Sequence, residues 1–379
     1  MNDTPQTEPL AFSLVMTCYN VGKFVKENII SCLQQDYPGQ MQLILVNDAS
    51  TDNTAAVIEE TVAEYGQGKD VTVLHHKVNR GVSAATDTGW AAAKHPWIIM
   101  VDGDDIQCPD RCAKTARLVA EHPELSMIIM NARKFSDSNP DLGILPYCVD
   151  NFKDTIPDLH ELRSPVERAM NYLHRGYNPR LNGFGCCMAF SRTLYEKWGN
   201  MCKGPEDDGH FIQDTVWELR AYLMAPVCGS SEIACGYRIH ENNIHSRKEE
   251  ATYAGIMAEE RSKARYAFYC ELDFVHMLED VKRAREEGLT DWSEEHLVEL
   301  EAFLHRKLHG RQLRAKWWDA SLFERIHRIR IHKSKADYLV RDWAIPRLLP
   351  LRVFASEMNL PSLSWMPSET TTMHLVVAL

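Results

Sequence analysis

The sequence contains no unbroken apolar run near the ~20 residues that a membrane-spanning helix needs. Its longest candidates, such as 97–101 and 127–130, have the length of core strands. Residues 1–10 are polar and acidic and lack the basic start and apolar centre of a secretory signal. We therefore expect a cytoplasmic protein that does not span a membrane.

The eleven cysteines form no C-x-x-C pair, so their spacing gives little support to a zinc site or a disulfide framework. A cytoplasmic compartment would also keep the thiols reduced. Cys186 and Cys187 are adjacent in a predicted strand, where neighbouring side chains point to opposite faces. We predict that all eleven are small apolar packing residues.

No G-x-G-x-x-G motif follows the first predicted strand, and no G-x-x-x-x-G-K-[ST] motif occurs. Their absence removes the usual signals of a dinucleotide-binding dehydrogenase and of a P-loop NTPase. The net charge of −11 argues against a general nucleic-acid binder.

The composition is that of a globular protein, with 45% of the 379 residues hydrophobic and 25% charged. Over residues 1–130, short apolar runs alternate with longer amphipathic ones, which is typical of a βαβ series. Right-handed crossovers would make this α/β sheet mostly parallel and covered by helices. Strands are predicted at 13–18, 41–46, 71–75, 97–101 and 125–131, and helices at 21–35, 54–65, 82–94 and 109–121.

The pattern changes further along the chain. A loop is predicted over 137–157, helices at 164–173 and 213–223, and strands at 184–190 and 234–239. Beyond about residue 249 the pattern is helical almost throughout. We therefore predict an α/β domain over 1–245 and a mainly helical C-terminal region over 246–379.

Within the helical region, residues 303–352 carry thirteen Lys or Arg against four Asp or Glu, a local charge of +9. Trp317, Trp318 and Trp343 lie among these cations. Basic helices with aromatic residues can lie on an anionic membrane, which would give a peripheral contact through 303–352. Packing of a helical lobe with a solvated cationic face is the alternative.

Polar residues follow each of the first four predicted strands. Ligands of open α/β sheets bind outside the carboxyl ends of the strands, so these residues predict a crevice. They are Thr17, Tyr19 and Asn20 after the first strand; Asn47 and Asp48 after the second; Asn79, Arg80 and Gly81 after the third; and Asp102, Gly103, Asp104 and Asp105 after the fourth.

Three of these positions have alternative interpretations. The acidic turn at 102–105 fits Mg²⁺ or Mn²⁺, which take oxygen ligands and complete their shell with phosphates, or a solvated turn before a helix. Asp48 could accept a hydrogen bond from a ligand or cap the next helix. Residues 79–83 could bind an anion at a helix N-terminus or simply start that helix.

Several ordered segments resemble glycosyltransferase family 2. They are 15–21 (VMTCYNV), 31–37 (SCLQQDY), 45–54 (LVNDASTDNT), 79–81 (NRG) and 102–105 (DGDD), and the match is strong over residues 12 to about 125. The resemblance implies a GT-A fold over 1–245, a nucleotide-sugar donor and inversion at the anomeric carbon. It favours a UDP-sugar, an acceptor that is a saccharide or a lipid-linked saccharide, and a role in polysaccharide or glycoconjugate synthesis of the cell envelope.

The resemblance also implies roles for individual residues. Thr17, Tyr19, Asn20, Asn79 and Gly81 would line the nucleotide-sugar pocket, and Asp48 would accept from the base. Asp102 and Gly103 would face the ribose or sugar, and Asp104 with Asp102 would hold Mn²⁺ or Mg²⁺ on the diphosphate in a DxD motif. His240, in the segment 237–242, would reach a phosphate or the metal. Many relatives have Arg-Asn where this chain has Thr86-Asp87, so a cationic contact is missing or supplied by Arg80.

An inverting transfer needs one general base for the acceptor hydroxyl. Two acidic clusters are candidates: 206–208 in a loop, and Asp214 in the first turn of a predicted helix. The Leu219-Arg220 pair puts Asp214 in the register of the family's Glu-Asp signature, although Gln213 replaces its Glu. We predict Asp214 as the base, ionised at the helix N-terminus, with a simple N-cap as the alternative. Trp217, one turn away, could stack on an acceptor sugar or pack in the core.

Two rival functions remain at this stage. A nucleotidyltransferase with a related sheet would usually have a Gly-rich basic loop after its first strand, and this chain has none. An inactive nucleotide-sugar-binding or scaffold module would not need the acidic turn and Asp214. We therefore predict a metal-dependent inverting glycosyltransferase.

Overall fold

The computed structural model describes residues 8–144, 185–202, 209, 213–240, 243 and 271–319. Its strands are β1 (Phe12–Cys18), β2 (Met41–Asn47), β3 (Asp70–His75), β4 (Trp97–Asp102), β5 (Ile106–Gln107), β6 (Met127–Phe135), β7 (Met188–Ser191) and β8 (Val227–Arg238). Its helices are α1 (Val25–Leu33), α2 (Thr54–Tyr65), α3 (Val82–Ala92), α4 (Arg111–Glu121), α5 (Arg192–Trp198), α6 (Gln213–Met224) and α7 (Glu294–Asp319), with a helical stretch at 271–287.

The described strands form one sheet in the order β3-β2-β1-β4-β7-β6-β8-β5. The first four are parallel neighbours, and β1, β2 and β4 are apolar and almost wholly buried. Strands buried on both faces need continuous apolar runs, which explains their composition. The parallel register brings the carboxyl ends of β1, β2, β3 and β4 to one edge of the sheet.

The prediction of a mostly parallel sheet is confirmed, with a mixed arrangement beyond β4. There β7 is antiparallel to both β4 and β6, while β6 and β8 are parallel and β5 is antiparallel to β8. The sheet is therefore mixed. Strands β6 and β8 run in the same direction as the first four, and of the described strands β5 and β7 run opposite to them. Neither β5 nor β7 belongs to the predicted βαβ series, so their direction could not be inferred from that pattern.

Helix α1 is shorter than predicted because residues 22–24 form a turn, in which the N–H of Phe24 donates to the carbonyl of Val21, three residues back, at 2.9 Å. The N–H of Val21 donates to Thr54 Oγ1 at 2.9 Å, and the N–H of Gly22 donates to Asp52 Oδ2 at 3.1 Å. These bonds join the loop after β1 to the loop before α2. The helix therefore begins at Val25 and not at Val21.

Two other boundaries also differ from the prediction. Residues 185–187 form a 3₁₀ turn, and the strand begins only at Met188, so Cys186 and Cys187 do not point to opposite faces of a strand. Strand β8 begins at Val227 and has 12 residues, twice the predicted length. Its pairing with β6 contains register shifts, so the strand continues through polar residues such as Ser230 and Glu232.

The core beside α3 and α6 is aromatic. Trp217 is fully buried and stacks on Trp90 at 4.1 Å between ring centroids, and Phe190 lies 5.1 Å from Trp90. Burying such a ring stabilises the fold by about 2–3 kcal/mol. Trp217 is therefore a core residue, and the interpretation that it stacks on an acceptor sugar is wrong.

A buried ion pair joins α6 to the helical stretch at 271–287. Arg220 Nε donates to Asp280 Oδ2 at 2.7 Å, and Nη2 donates to Oδ1 at 3.1 Å. Both side chains are nearly inaccessible, and the guanidinium lies over the ring of Trp217 at 4.7 Å. The two-pronged geometry satisfies both carboxylate oxygens, which a buried pair requires.

The chain divides into two compact units. One contains residues 1–240 and 272–307, and the other contains 241–271 and 308–379. Residues 272–307 thus belong with the sheet, while the division at 245 stays a prediction. None of the helices in the described part is both long and apolar enough to cross a membrane. The basic stretch beyond 319, the loop and helix predicted within 145–173, and the cluster at 206–208 lie outside the described residues.

Candidate active site

The acidic turn directly follows β4 and is folded tightly against β1. The N–H of Gly103 donates to the carbonyl of Thr17 at 3.1 Å. A Cβ on Gly103 would lie 2.9 Å from that same oxygen, so only glycine fits this approach. The N–H of Asp105 donates to the carbonyl of Asp102 at 3.3 Å and closes the turn.

Arg238, the last residue of β8, holds this turn in place. Its N–H donates to Asp105 Oδ1 at 3.0 Å, and its Nε donates to the carbonyl of Asp104 at 3.0 Å. Its guanidinium lies between the rings of Phe24 and Phe135, at 4.9 and 4.6 Å. Sequence reasoning placed Arg238 only within a segment facing the diphosphate and missed this contact, because it joins residues far apart in the chain.

Asp104 and His240 meet beside the turn. Asp104 Oδ2 lies 2.9 Å from His240 Nε2, and both side chains keep some exposure. A carboxylate oxygen and an imidazole nitrogen are donor types that Mn²⁺ accepts. The residues therefore fit a divalent cation, held by Asp104 and His240 with Asp102 nearby.

Negative charge accumulates around Asp102. The pKa of Asp102 is raised to about 8, mainly by burial and in smaller part by the negative charges of Asp104 and Asp214. Charges that repel in this way are stabilised by a neighbouring cation. Asp214 lies near the same turn, because it accepts the N–H of Gly185, and the Sγ of the next residue, Cys186, lies within 4.8 Å of a carboxylate oxygen of Asp102.

Asp48 lies after β2 in a buried position and binds the loop after β3. Its Oδ1 accepts the N–H of Arg80 and its Oδ2 accepts the N–H of Gly81, both at 2.9 Å. His76 Nδ1 lies 2.6 Å from Oδ1, and Asn79 Nδ2 donates to the Asp48 carbonyl at 3.3 Å. One lone pair of Oδ2 is left for a ligand N–H. Sequence reasoning missed His76, although its position directly after β3 was a signal for this edge.

We expect Asp48→Asn to destabilise the fold. An amide presents one oxygen, so the N–H of Arg80 or of Gly81 would face its NH₂ group. A buried donor without an acceptor costs about 1–3 kcal/mol. Urea unfolding measures this loss, with the exposed Asp36→Asn as control, which should stay within about 0.5 kcal/mol of wild type. Equal stability of the two variants would contradict the assignment.

The residues predicted after β1 have different surroundings. Tyr19 is 48% exposed at the edge of the crevice. Asn20 has a positive φ of 54°, and its side-chain oxygen accepts the N–H of Thr51 at 2.8 Å. Asn20 thus holds the loop before α2, while Thr17 holds Gly103 with its carbonyl. Tyr19 and Asn20 are both exposed at this edge, and Thr17 is half-buried.

Asp214 lies in the first turn of α6, as predicted. Its Oδ2 accepts the N–H of Gly185 at 3.2 Å, and its Oδ1 accepts the N–H of Thr215 at 3.1 Å. Burial raises the pKa of Asp214 to about 6, against the lowering effect of these bonds. A carboxylate with this pKa is mostly ionised at neutral pH, as the prediction of a base requires, although burial and not the helix N-terminus has the larger effect on the pKa. The carboxylate retains lone pairs for a proton.

Many relatives have Arg-Asn where this chain has Thr86-Asp87. The aspartate has a structural role that was not predicted from the sequence. Asp87 is buried in α3, and its carboxylate accepts the N–H groups of Met201 at 3.0 Å and Cys202 at 2.8 Å. Arg80 Nε is also buried, without a hydrogen-bond partner among the described residues. Asp87 therefore anchors the segment that leads towards α6.

A sheet with a parallel half, an acidic turn after β4 and a second carboxylate at the same edge define a nucleotide-sugar transferase fold of the GT-A class. Residues 13–199 match the family model of glycosyl transferase family 2. This part of the chain belongs to the family, and the predicted family and fold class are confirmed.

Individual relatives are distant. The poly-beta-1,6-N-acetyl-D-glucosamine synthase of Staphylococcus epidermidis is 28% identical over 128 residues, which are 34% of this chain and 29% of that protein. The match therefore spans less than a third of the length of that relative.

Two solved structures share the fold. S. aureus TarS 1-349 in complex with UDP-GlcNAc has a TM-score of 0.53 at 16% identity, covering 97% of this chain and 91% of that one. The mannosyltransferase PcManGT from Pyrobaculum calidifontis, in complex with GDP-Man and Mn²⁺, has a TM-score of 0.50 at 16% identity, covering 99% and 86%.

Proposed function

We propose that the protein is a metal-dependent inverting glycosyltransferase that moves a sugar from a UDP-sugar to a hydroxyl group of a saccharide or lipid-linked saccharide. One observation carries the proposal. The Asp104–His240 pair lies in the turn that begins at Asp102, and Asp214 accepts the N–H of Gly185, whose neighbour Cys186 lies within 4.8 Å of the Asp102 carboxylate. This arrangement supports a cation-binding pair and a proton acceptor in one crevice.

The loops after β1, β2 and β3 form the side of the crevice that would bind the nucleotide-sugar donor. Tyr19 offers an exposed ring for a base, and Asp48 keeps one lone pair on Oδ2 for a base N–H. Arg80 Nε, buried without a partner, is a candidate for the cationic contact that Thr86 cannot make. TarS and PcManGT bind UDP-GlcNAc and GDP-Man with the same fold, which supports a nucleotide-sugar donor.

Asp104 and His240 would hold Mn²⁺ or Mg²⁺, which offsets charge on the departing nucleoside diphosphate. In a single displacement the acceptor oxygen attacks the anomeric carbon while its proton moves to Asp214 and the bond to the diphosphate breaks. The N–H groups of Gly185 and Thr215 orient the Asp214 carboxylate for this transfer.

We expect kcat/KM to rise with pH, to be half-maximal near pH 6 and to level off about one pH unit higher. Asp214 accepts a proton only when ionised, and its raised pKa of about 6 means that activity is lost as pH falls through that value. Initial rates in buffers from about pH 5 to 8 measure the profile, with Asp36→Asn as a control that should reproduce it. A flat profile would contradict a base of this pKa.

A panel of nucleotide-sugars, incubated with the protein and Mn²⁺ or with EDTA, tests the function. We expect metal-dependent release of nucleoside diphosphate from one UDP-sugar, faster when a saccharide acceptor is added. Binding of UDP without release from any donor would favour an inactive binding module and overturn the proposal.

A further inference from the structure

Three cysteines lie together in the core behind the acidic turn. Cys186 and Cys187 belong to the 3₁₀ turn, and Cys235 belongs to β8. Their Sγ atoms all lie within 4.8 Å of one another, and all three side chains are buried. The proximity of Cys235, 48 residues further along the chain, could not be inferred from spacing, so the prediction of simple packing residues missed this cluster.

The spacing of the sulfurs suits a tetrahedral metal. Zinc binds thiolate sulfur at about 2.3 Å, so two sulfurs of a tetrahedral site lie about 3.8 Å apart. Cys186 Sγ and Cys187 Sγ are 3.8 Å apart. The 3₁₀ turn makes this possible because it directs two adjacent side chains to one side. Cys235 needs a shift of at most about 1 Å to complete the same geometry.

A buried carboxylate, that of Asp105, lies next to Cys186, one of the three cysteines. Asp105 is fully buried, and its Oδ1 accepts the N–H of Arg238, while its Oδ2 has no hydrogen-bond partner among the described residues. The ligand atoms of Asp105, Asp102 and Cys186 lie within 4.8 Å of one another. A buried carboxylate oxygen without a partner is costly, and packing of three thiols alone does not account for it.

A compensating positive charge lies in the same part of the core. Arg111 is 1% exposed, and its Nη2 donates to the carbonyl of Met188 at 3.1 Å, directly after Cys187. A guanidinium in this position lowers the cost of burying several thiolates around one cation.

We propose that Cys186, Cys187, Cys235 and Asp105 form a buried zinc site with three sulfur ligands and one oxygen ligand. It is separate from the Asp104–His240 pair, which offers only oxygen and nitrogen. Four protein ligands fill a tetrahedral shell, so the site is structural and leaves no open position. It joins the 3₁₀ turn, β8 and the acidic turn, and Gly185 in the same turn donates its N–H to Asp214. The zinc would thus connect the acidic turn, on the donor side of the crevice, with the segment that contacts the candidate base Asp214.

The test begins with full-length protein purified under reducing conditions. We expect about one zinc per chain by mass spectrometry of metals, and a sulfur-to-metal charge-transfer band in the near ultraviolet when Co²⁺ replaces it. Cys186→Ser and Cys235→Ser should lower the Co²⁺ affinity at least tenfold. Cys32→Ser, a buried cysteine of α1 outside the cluster, should keep the band, and so should Asp104→Asn.

A second measurement on wild type covers the case in which the serine variants do not fold. Chelation should lower the melting temperature, and added Zn²⁺ should restore it. The proposal is overturned if folded, fully reduced wild type contains no zinc and binds Co²⁺ without the charge-transfer band. It is also overturned if the band is unchanged in both folded serine variants. None of these readouts depends on a donor or on transfer, so a failure here is distinguishable from a failure of the proposed function.

Discussion

Asp214→Asn is expected to lower kcat for transfer about 10²- to 10⁴-fold, which is the usual contribution of a positioned general base. The amide cannot take the acceptor proton at neutral pH. Its side-chain oxygen can still accept an N–H from Gly185 or Thr215, so α6 should keep its first turn. Binding of UDP should be unchanged, since Asp214 contributes only to the acceptor side.

Steady-state kinetics with saturating donor measures this loss, with UDP affinity measured in parallel. Asp36→Asn serves as the control because it removes an exposed carboxylate elsewhere. If Asp214→Asn turns over at the wild-type rate, the base lies elsewhere, and the acidic residues at 206–208 are the next candidates.

Asp104→Asn is expected to lower kcat/KM about 10²- to 10³-fold and to remove the stimulation by Mn²⁺. A bound cation contributes several kcal/mol of charge stabilisation in the transition state, and about 1.4 kcal/mol corresponds to a factor of ten. An amide is a much weaker ligand than a carboxylate, and the Asp104–His240 pair would lose its charge. The turn itself should persist, because Arg238 holds it through the Asp104 carbonyl.

The control is Asp110→Asn, six residues further along the chain, where the carboxylate is exposed and pairs with Lys114 on the surface. Its Mn²⁺ dependence should equal that of wild type. An Asp104→Asn enzyme that responds to Mn²⁺ as wild type does would show that the cation is held by other residues.

The sequence predicted the first four strands to within one residue at nearly every end, and helix α2 without error, because a period-matched apolar pattern and cap residues mark them locally. The order of polar residues after those strands then predicted Asp48 and Asp104 at one edge, whereas Asp214 was predicted only from the resemblance to the family's signature. Contacts between distant segments could not be predicted in this way. The contacts of Arg238 with the acidic turn and of Asp87 with residues 201–202 each join segments that are far apart in the sequence. They depend on the path by which the chain returns to the sheet.

The cluster of Cys186, Cys187 and Cys235 also could not be predicted from the sequence pattern. Pattern reasoning assumed a strand for residues 184–190, and alternation along a strand separates Cys186 from Cys187. The 3₁₀ turn reverses that conclusion, and only the pairing of β8 with β6 and β5 brings Cys235 close. Burial likewise decided the pKa of Asp214, since a sequence shows the helix N-terminus but not the depth of the side chain.

Titration calorimetry of UDP, with Mn²⁺ or with EDTA, tests the central claim most directly, namely that the acidic turn after β4 binds a nucleoside diphosphate through a divalent cation. We predict UDP binding in Mn²⁺ that weakens at least tenfold in EDTA and in Asp104→Asn. Absence of UDP binding under both conditions would contradict the claim.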